Sequence, residues 1–183
     1  DDFVAGPTKV TTDLGERAIS GRARLVGPNR VEVNGQEWSA RNIIIATGSS
    51  PVIPQAWNSF KHHILTTDTL FEQETLPARM AVVGMGPIGI EMAQALSRLG
   101  IEVVGFGRSP LFAGLTDPHV NDAATVSLTE EWPIYLGEKA ELVEMNGKIH
   151  VRAGSNEVIV DSVLAALGRD PNIRNLGLES LSV

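Results

Sequence analysis

Three glycines carry the sharpest chemical signal in the sequence. Gly84, Gly86 and Gly89 stand in the spacing Gly-x-Gly-x-x-Gly, interleaved with Met85, Pro87 and Ile88 and followed by Ile90 and Glu91. The short apolar run Met80–Val83 precedes them, and a segment with helical apolar spacing (Ile88, Met92, Ala95, Leu96, Leu99) follows. A strand, a glycine turn and a helix in that order form a site for a dinucleotide pyrophosphate. Gly84 allows the tight turn, Gly86 leaves the backbone open to the phosphates, and Gly89 lets the helix sit close to the strand. The helix N-terminus adds free N–H groups and a partial positive charge. Pro87 suits a first helical turn, where its missing N–H would have no intrahelical partner. The plain alternative is a glycine-rich turn that binds nothing; the strand before and the helix after favour the phosphate reading.

The residue at the end of the second strand selects the ribose. An acidic side chain about twenty residues past the glycines bonds the ribose 2′-hydroxyl of NAD. Here that place falls in Val103-Val104-Gly105-Phe106-Gly107-Arg108-Ser109, which has no carboxylate. Arg108 is suited to gripping a 2′-phosphate through charge-assisted bonds, and Ser109 adds a hydroxyl. A solvated arginine at a loop start is the competing reading. Gly89 points the other way, because glycine at the third place is common in NAD sites. The expectation leans to NADP(H), with NAD(H) the alternative. Glu91 reads from the residues alone as a helix-dipole partner.

Other side chains point to little chemistry. The chain has no cysteine, which removes disulfides, cysteine-ligated zinc and thiol catalysis within these residues. His62 and His63 are adjacent in a polar loop, a poor arrangement for chelating one ion, and no metal site is expected. His119 and His150 read as structural. Trp38, Trp57 and Trp132 are scattered, which suggests packing. The 183 residues carry 15 basic and 22 acidic side chains and no basic cluster, so nucleic acid and anionic membranes are not expected partners. No apolar run approaches the span of a bilayer. No basic-then-apolar leader opens the sequence, which begins at Asp1; a cytoplasmic location is the expectation.

The elements that must position these residues are an α/β set. Residues 1–50 read as β-rich: Arg17–Leu25, Arg30–Val33 and Glu37–Ala40 form an antiparallel meander around Gly27-Pro28-Asn29 and Asn34-Gly35. Asn42–Ala46 reads as a strand buried on both faces, stopped by Thr47-Gly48-Ser49. A short helix is expected near Thr67. From Met80 onward, strands (80–83, 101–106, 134–136 and 158–167) alternate with helices from Pro87 and from Asp117-Pro118. Glu141–Met145 and Lys148–Arg152 form a hairpin. This alternation predicts a Rossmann-like parallel sheet with right-handed crossovers, joined to a small antiparallel β-meander.

Three motifs in order extend the reading. Ile43-Ile44-Ile45-Ala46-Thr47-Gly48-Ser49 comes first, then the glycine motif with Glu91, then Leu167-Gly168-Arg169-Asp170-Pro171-Asn172 with Leu176-Gly177-Leu178-Glu179. Together they resemble the FAD-dependent pyridine nucleotide–disulfide oxidoreductases over almost the whole chain, with dihydrolipoamide dehydrogenase the nearest type. Gly107-Arg108-Ser109 resembles the NADPH-using members. The resemblance implies a partial FAD-domain segment over 1–50, an NAD(P)-binding domain over 51–163 and a return into the FAD domain over 164–183. It implies that Thr47, Gly48 and Ser49 lie near FAD. It implies that Gly168 lies near the nicotinamide, Glu91 beside nicotinamide and flavin, and Ala140, within Glu138-Lys139-Ala140, near the adenine.

The same resemblance implies a homodimer for the intact enzyme. It places the first FAD-binding glycine turn and the redox cysteine pair before Asp1, and the second flavin motif and the His-Glu acid–base pair after Val183. The chain thus reads as the middle of such an enzyme, with no catalytic residue of its own, and is expected to be inactive alone. Two other functions compete: a stand-alone NAD(P)-dependent dehydrogenase, which would need a general acid beyond the single Tyr135, and a non-catalytic nucleotide-binding redox sensor.

Overall fold

Alternate residues of three neighbouring strands point into two different cores, and this determines the architecture of residues 49–170. In the computed structural model, which describes residues 2–181, β6 (Arg79–Val83), β7 (Glu102–Gly107) and β12 (Ser162–Ala165) are parallel and central. The sheet order is β5-β12-β6-β7-β8, with β5 at Ile64–Leu65 and β8 at Ile134–Leu136. Met80, Val82, Val103 and Leu164 face helix α2 (Pro87–Arg98) and a layer that includes Phe112 and Trp132. Ala81, Val83, Val104, Phe106, Val163 and Ala165 face the other way, onto a three-stranded antiparallel meander. That meander is β9 (Glu141–Met145), β10 (Lys148–Ala153) and β11 (Asn156–Val160), which contributes Leu142, Ile149, Val151 and Val160. Strands covered on both faces need apolar residues at every position, which is why they read as unbroken runs.

Local chemistry sets the boundaries. Asp117 caps α3 (Pro118–Thr129), accepting the N–H groups of His119 at 2.9 Å and Val120 at 3.2 Å, and Pro118 occupies the first turn. Gly100, with a left-handed backbone, follows α2 and ends it. The short strands β4 (Ser49–Pro51) and β13 (Arg169–Pro171) form a separate two-stranded ribbon. Contacts divide the chain into two compact units, Ser49–Asp170 and the pair of segments Asp1–Gly48 and Pro171–Val183. The second unit holds a β1–β2–β3 meander (Ala23–Gly27, Arg30–Val33, Gln36–Ser39) with the Asn34-Gly35 turn where the sequence put it. Among the described residues no helix is long and apolar enough to cross a membrane.

Four expectations need correction. Asp2–Leu14 is a helix, α1, inside the region read as β-rich, and β1 begins only at Ala23, after a 3-10 turn over Gly15–Arg17. The Lys9–Asp13 pair one helical turn apart (2.7 Å) supports α1, and Thr11 and Thr12 return their hydroxyls to carbonyls four residues back. Asn42–Ala46 is not a strand: Ile44 is 91% exposed. An apolar run becomes a buried strand only with neighbours on both edges, and among the described residues the sheet of its own unit holds only β1–β3. The expected helix near Thr67 is a single 3-10 turn, Leu70–Glu72, held by the Thr66 carbonyl.

The single strand expected over 158–167 is two strands broken at Asp161. The Asp161 N–H donates to the Arg79 carbonyl (3.0 Å), and its carboxylate takes the Arg79 N–H (3.0 Å) and the Lys148 ammonium. These bonds turn the chain from the meander into the parallel sheet.

Candidate functional site

The turn after β6 is shaped by backbone that allows no side chain. Gly84 has φ +109°, donates its N–H to the Phe106 carbonyl (2.7 Å), and a Cβ there would meet the Ala166 oxygen at 2.2 Å. A Cβ on Gly89 would meet the Gly84 oxygen at 1.7 Å. The two glycines thus clamp α2 onto the ends of β6 and β12. Gly86 differs: a Cβ there would meet nothing within 4 Å, because its face opens on a cavity. Gly86 is the N-cap of α2 in an extended conformation, and the Ile90 N–H closes the first turn onto its carbonyl (3.0 Å). Pro87 has no N–H, and the Ile88 and Gly89 N–H groups precede the first intrahelical donor, Ile90.

The cavity encloses about 520 Å³, within the range of small-molecule sites. Val83, Gly84, Met85 and Gly86 form its floor, and Gly107, Arg108 and Ser109 one end. Ala166, Leu167 and Gly168 form the other end, and Pro54, Trp57, Lys139 and Ala140 the remaining wall. A smaller hollow, about 120 Å³, shares Gly86, Ala166 and Gly168 with it and adds Pro87, Ile88 and Arg169. An extended molecule crossing Gly86 can therefore lie along both.

The Arg108 end has a particular chemistry. Gly107 is buried, and a Cβ on it would lie 2.6 Å from Leu136 Cδ2 and 3.1 Å from Met85 Cβ. No carboxylate can stand at that place without displacing them, so Arg108, which is exposed, is the first side chain the rim can offer. The Ser109 hydroxyl accepts the Leu111 N–H (3.0 Å), fixing the rim turn, and Phe112 below it is anchored through its N–H to the buried Asn121 side chain (3.0 Å).

At the other end, Gly168 accepts the Val52 N–H (3.0 Å). Next to it Arg169 reaches Asp68 (2.8 Å), Thr67 (3.0 Å) and both the hydroxyl and the carbonyl of Ser49 (2.9 and 2.7 Å). The Arg169 guanidinium holds the Asp68 carboxyl below the usual carboxylate range.

The cavity and hollow bring together Gly84, Met85, Gly86, Pro87, Ile88, Gly107, Arg108, Ser109, Ala140 and Gly168. Gly89, Ile90 and Glu91 lie on α2 outside both linings, with Glu91 exposed. Ser49 belongs to the Arg169 cluster. Thr47 and Gly48 fall in the other unit, where their carbonyls accept the Asn172 side-chain and backbone N–H groups (3.2 and 2.9 Å). Sequence reasoning overlooked Trp57 and Pro54 as cavity wall: both precede the glycine motif by some thirty residues, and only the Pro51–Pro54 punctuation hinted at a rigid segment there.

Residues 3–183 match the family profile of the pyridine nucleotide–disulphide oxidoreductases. The chain belongs to that family. Enzymes of this family work with FAD and a nicotinamide dinucleotide. A mercuric reductase of Staphylococcus aureus is 34% identical over 93% of the chain and 32% of its own length. A dihydrolipoyl dehydrogenase of Thermus scotoductus is 34% identical over 90% of the chain and 38% of its own length. The chain thus spans about a third of the curated relatives it matches. In fold it is similar to LpdA of Mycobacterium tuberculosis, with a TM-score of 0.82 at 24% identity over 98% of the chain and 43% of that structure.

Proposed function

We propose that residues 49–170 are the nicotinamide-dinucleotide domain of a flavoprotein disulfide reductase, and that the segments before and after them are pieces of its FAD domain. The observation that carries the reading is the open face of Gly86, set at the start of α2 within a cavity of about 520 Å³. The N–H groups of the first turn of α2 receive the pyrophosphate, Arg108 and Ser109 take the adenosine ribose, and Ala140 flanks the adenine. Gly168 lies at the nicotinamide end, and Glu91 comes to the nicotinamide and flavin in the intact enzyme. Thr47, Gly48 and Ser49 serve the flavin side. When bound, the dinucleotide would exchange hydride with FAD, in one direction or the other. This chain's residues hold and orient it, and the apolar floor of Val83 and Met85 keeps water from its inner edge.

The filled space at Gly107 and the exposed Arg108 support NADP(H) over NAD(H). The dihydrolipoyl dehydrogenase-like activity, the homodimer and the cytoplasmic location belong to the same proposal for the longer enzyme. Titration calorimetry of the chain with NADPH and NADH tests it. Saturable binding of one dinucleotide, lost in Gly86→Val while the fold persists, is expected; equal binding by wild type and variant, or none by either, overturns the reading.

A further inference from the structure

The structure brings two adjacent histidines onto a glutamate some eighty residues away in the sequence. His62 Nε2 lies 3.6 Å and His63 Nε2 3.8 Å from the same Glu144 oxygen, and the three ligand atoms all fall within 4.8 Å of one another. We propose that His62, His63 and Glu144 form a site for a divalent transition-metal ion of the Zn²⁺ class, independent of the dinucleotide cavity. This revises the expectation, drawn from adjacency alone, that the histidine pair binds nothing.

The second observation is at His63. Its Nδ1 lies 2.8 Å from the Asp161 carbonyl oxygen, which can only accept, so Nδ1 carries a hydrogen and Nε2 is the ring nitrogen turned toward Glu144. An imidazole bonding its other nitrogen to a backbone carbonyl is the usual support of a metal-ligating histidine. The His63 side chain is only 15% exposed, so this ligand is set in place by the fold. His62 at 61% and Glu144 at 34% have room to move. Four-coordinate zinc with nitrogen and oxygen ligands at about 2.0–2.2 Å requires ligand–ligand separations of about 3.3–3.6 Å. The observed 3.6 and 3.8 Å are close to that, and small rotations of the two exposed side chains close the rest. The rings tilt by 46° with centroids 4.2 Å apart, so the two neighbours are not stacked flat and can converge.

Two imidazoles and one carboxylate favour Zn²⁺, Cu²⁺ or Ni²⁺ and disfavour Mg²⁺ and Ca²⁺. Three protein ligands leave a position for water. The ion would tie the end of the 3-10 segment Gln55–His63 to strand β9.

The test is calorimetry and equilibrium dialysis of the tag-free protein with Zn²⁺ in the presence of excess Mg²⁺. Wild type is compared with His62→Ala, His63→Ala, Glu144→Gln and the control His119→Ala. One Zn²⁺ per chain is expected, at least about 10-fold weaker in each ligand variant and unchanged in the control. Substituted Co²⁺ should show the visible bands of a low-coordinate site, and Zn²⁺ should raise the Tm of wild type but not of Glu144→Gln. Circular dichroism of the metal-free variants establishes that each is folded; should His63→Ala fail to fold, His62→Ala and Glu144→Gln decide the matter. Binding retained in the ligand variants, or no saturable binding by wild type, overturns the proposal. Dinucleotide binding by the same samples reports on the cavity separately, so failure of one reading is distinguishable from failure of the other.

Discussion

The space that a side chain on Gly89 would need is already taken by the carbonyl oxygen of Gly84, 1.7 Å from where its Cβ would be. The glycine motif thus contains two structural glycines and one that faces open space. Gly86→Val, at an extended N-cap with no neighbour within 4 Å, is expected to cost about 1 kcal/mol or less in stability while removing dinucleotide binding. Gly89→Ala forces α2 away from β6 and is expected to cost about 2–4 kcal/mol, above the usual range for overpacking because backbone is the obstacle. Urea unfolding with calorimetry on the same samples separates the two; the reverse ranking would contradict the assignment.

Arg108→Ala is expected to weaken NADPH binding by about 1.5–3 kcal/mol, the range for hydrogen bonds to charged groups, and to leave NADH binding nearly unchanged. The NADPH loss should shrink as salt is raised, because Arg108 is exposed and its field is screened. Equal losses for both nucleotides by calorimetry would remove the 2′-phosphate role.

Asp161 gives a pH signature. The Lys148 ammonium, aided by the Arg79 N–H and opposed by burial, holds its carboxyl below the usual carboxylate range. A carboxylate with a lowered folded-state pKa stabilises the fold above its unfolded value, about 3.9, and loses that contribution as pH falls through the folded value. Asp161→Asn is therefore expected to cost about 1–2 kcal/mol near pH 7, with the gap to wild type closing below about pH 4. Denaturation midpoints across pH check this; a gap that widens in acid would refute it.

Purified as these 183 residues, the protein is expected to be colourless. Ile44 stands open and Asn42–Ala46 is in no strand among the described residues, so under the reading proposed above the flavin side has no packed wall here. A visible absorption spectrum showing one flavin per chain would contradict this.

What could be read from sequence is what local chemistry controls. The β6–glycine–α2 unit, the Asp117 cap and the Asn34-Gly35 turn all depend on residues a few positions apart, and each stands where spacing put it. The break at Asp161 has no glycine or proline to announce it; it is imposed by Arg79 and Lys148, which arrive from elsewhere in the chain. Helix α1 was hidden by Gly6, Pro7 and its threonines, all poor helix formers. Asn42–Ala46 has the composition of a strand without neighbours to make it one. The convergence of Glu144 with the histidine pair, like the Trp57 wall, exists only once the meander packs on the sheet.

The position of β12 between β5 and β6 has a consequence for synthesis. Ile64 pairs with Val163, so the first strand of this sheet to leave the ribosome finds its partner only about a hundred residues later, some 5–20 seconds at ordinary elongation rates. Until then the nascent chain carries a β6 edge with nothing to bond, and the apolar residues of β5 stay wet. The step that completes this sheet waits until β12 has been made.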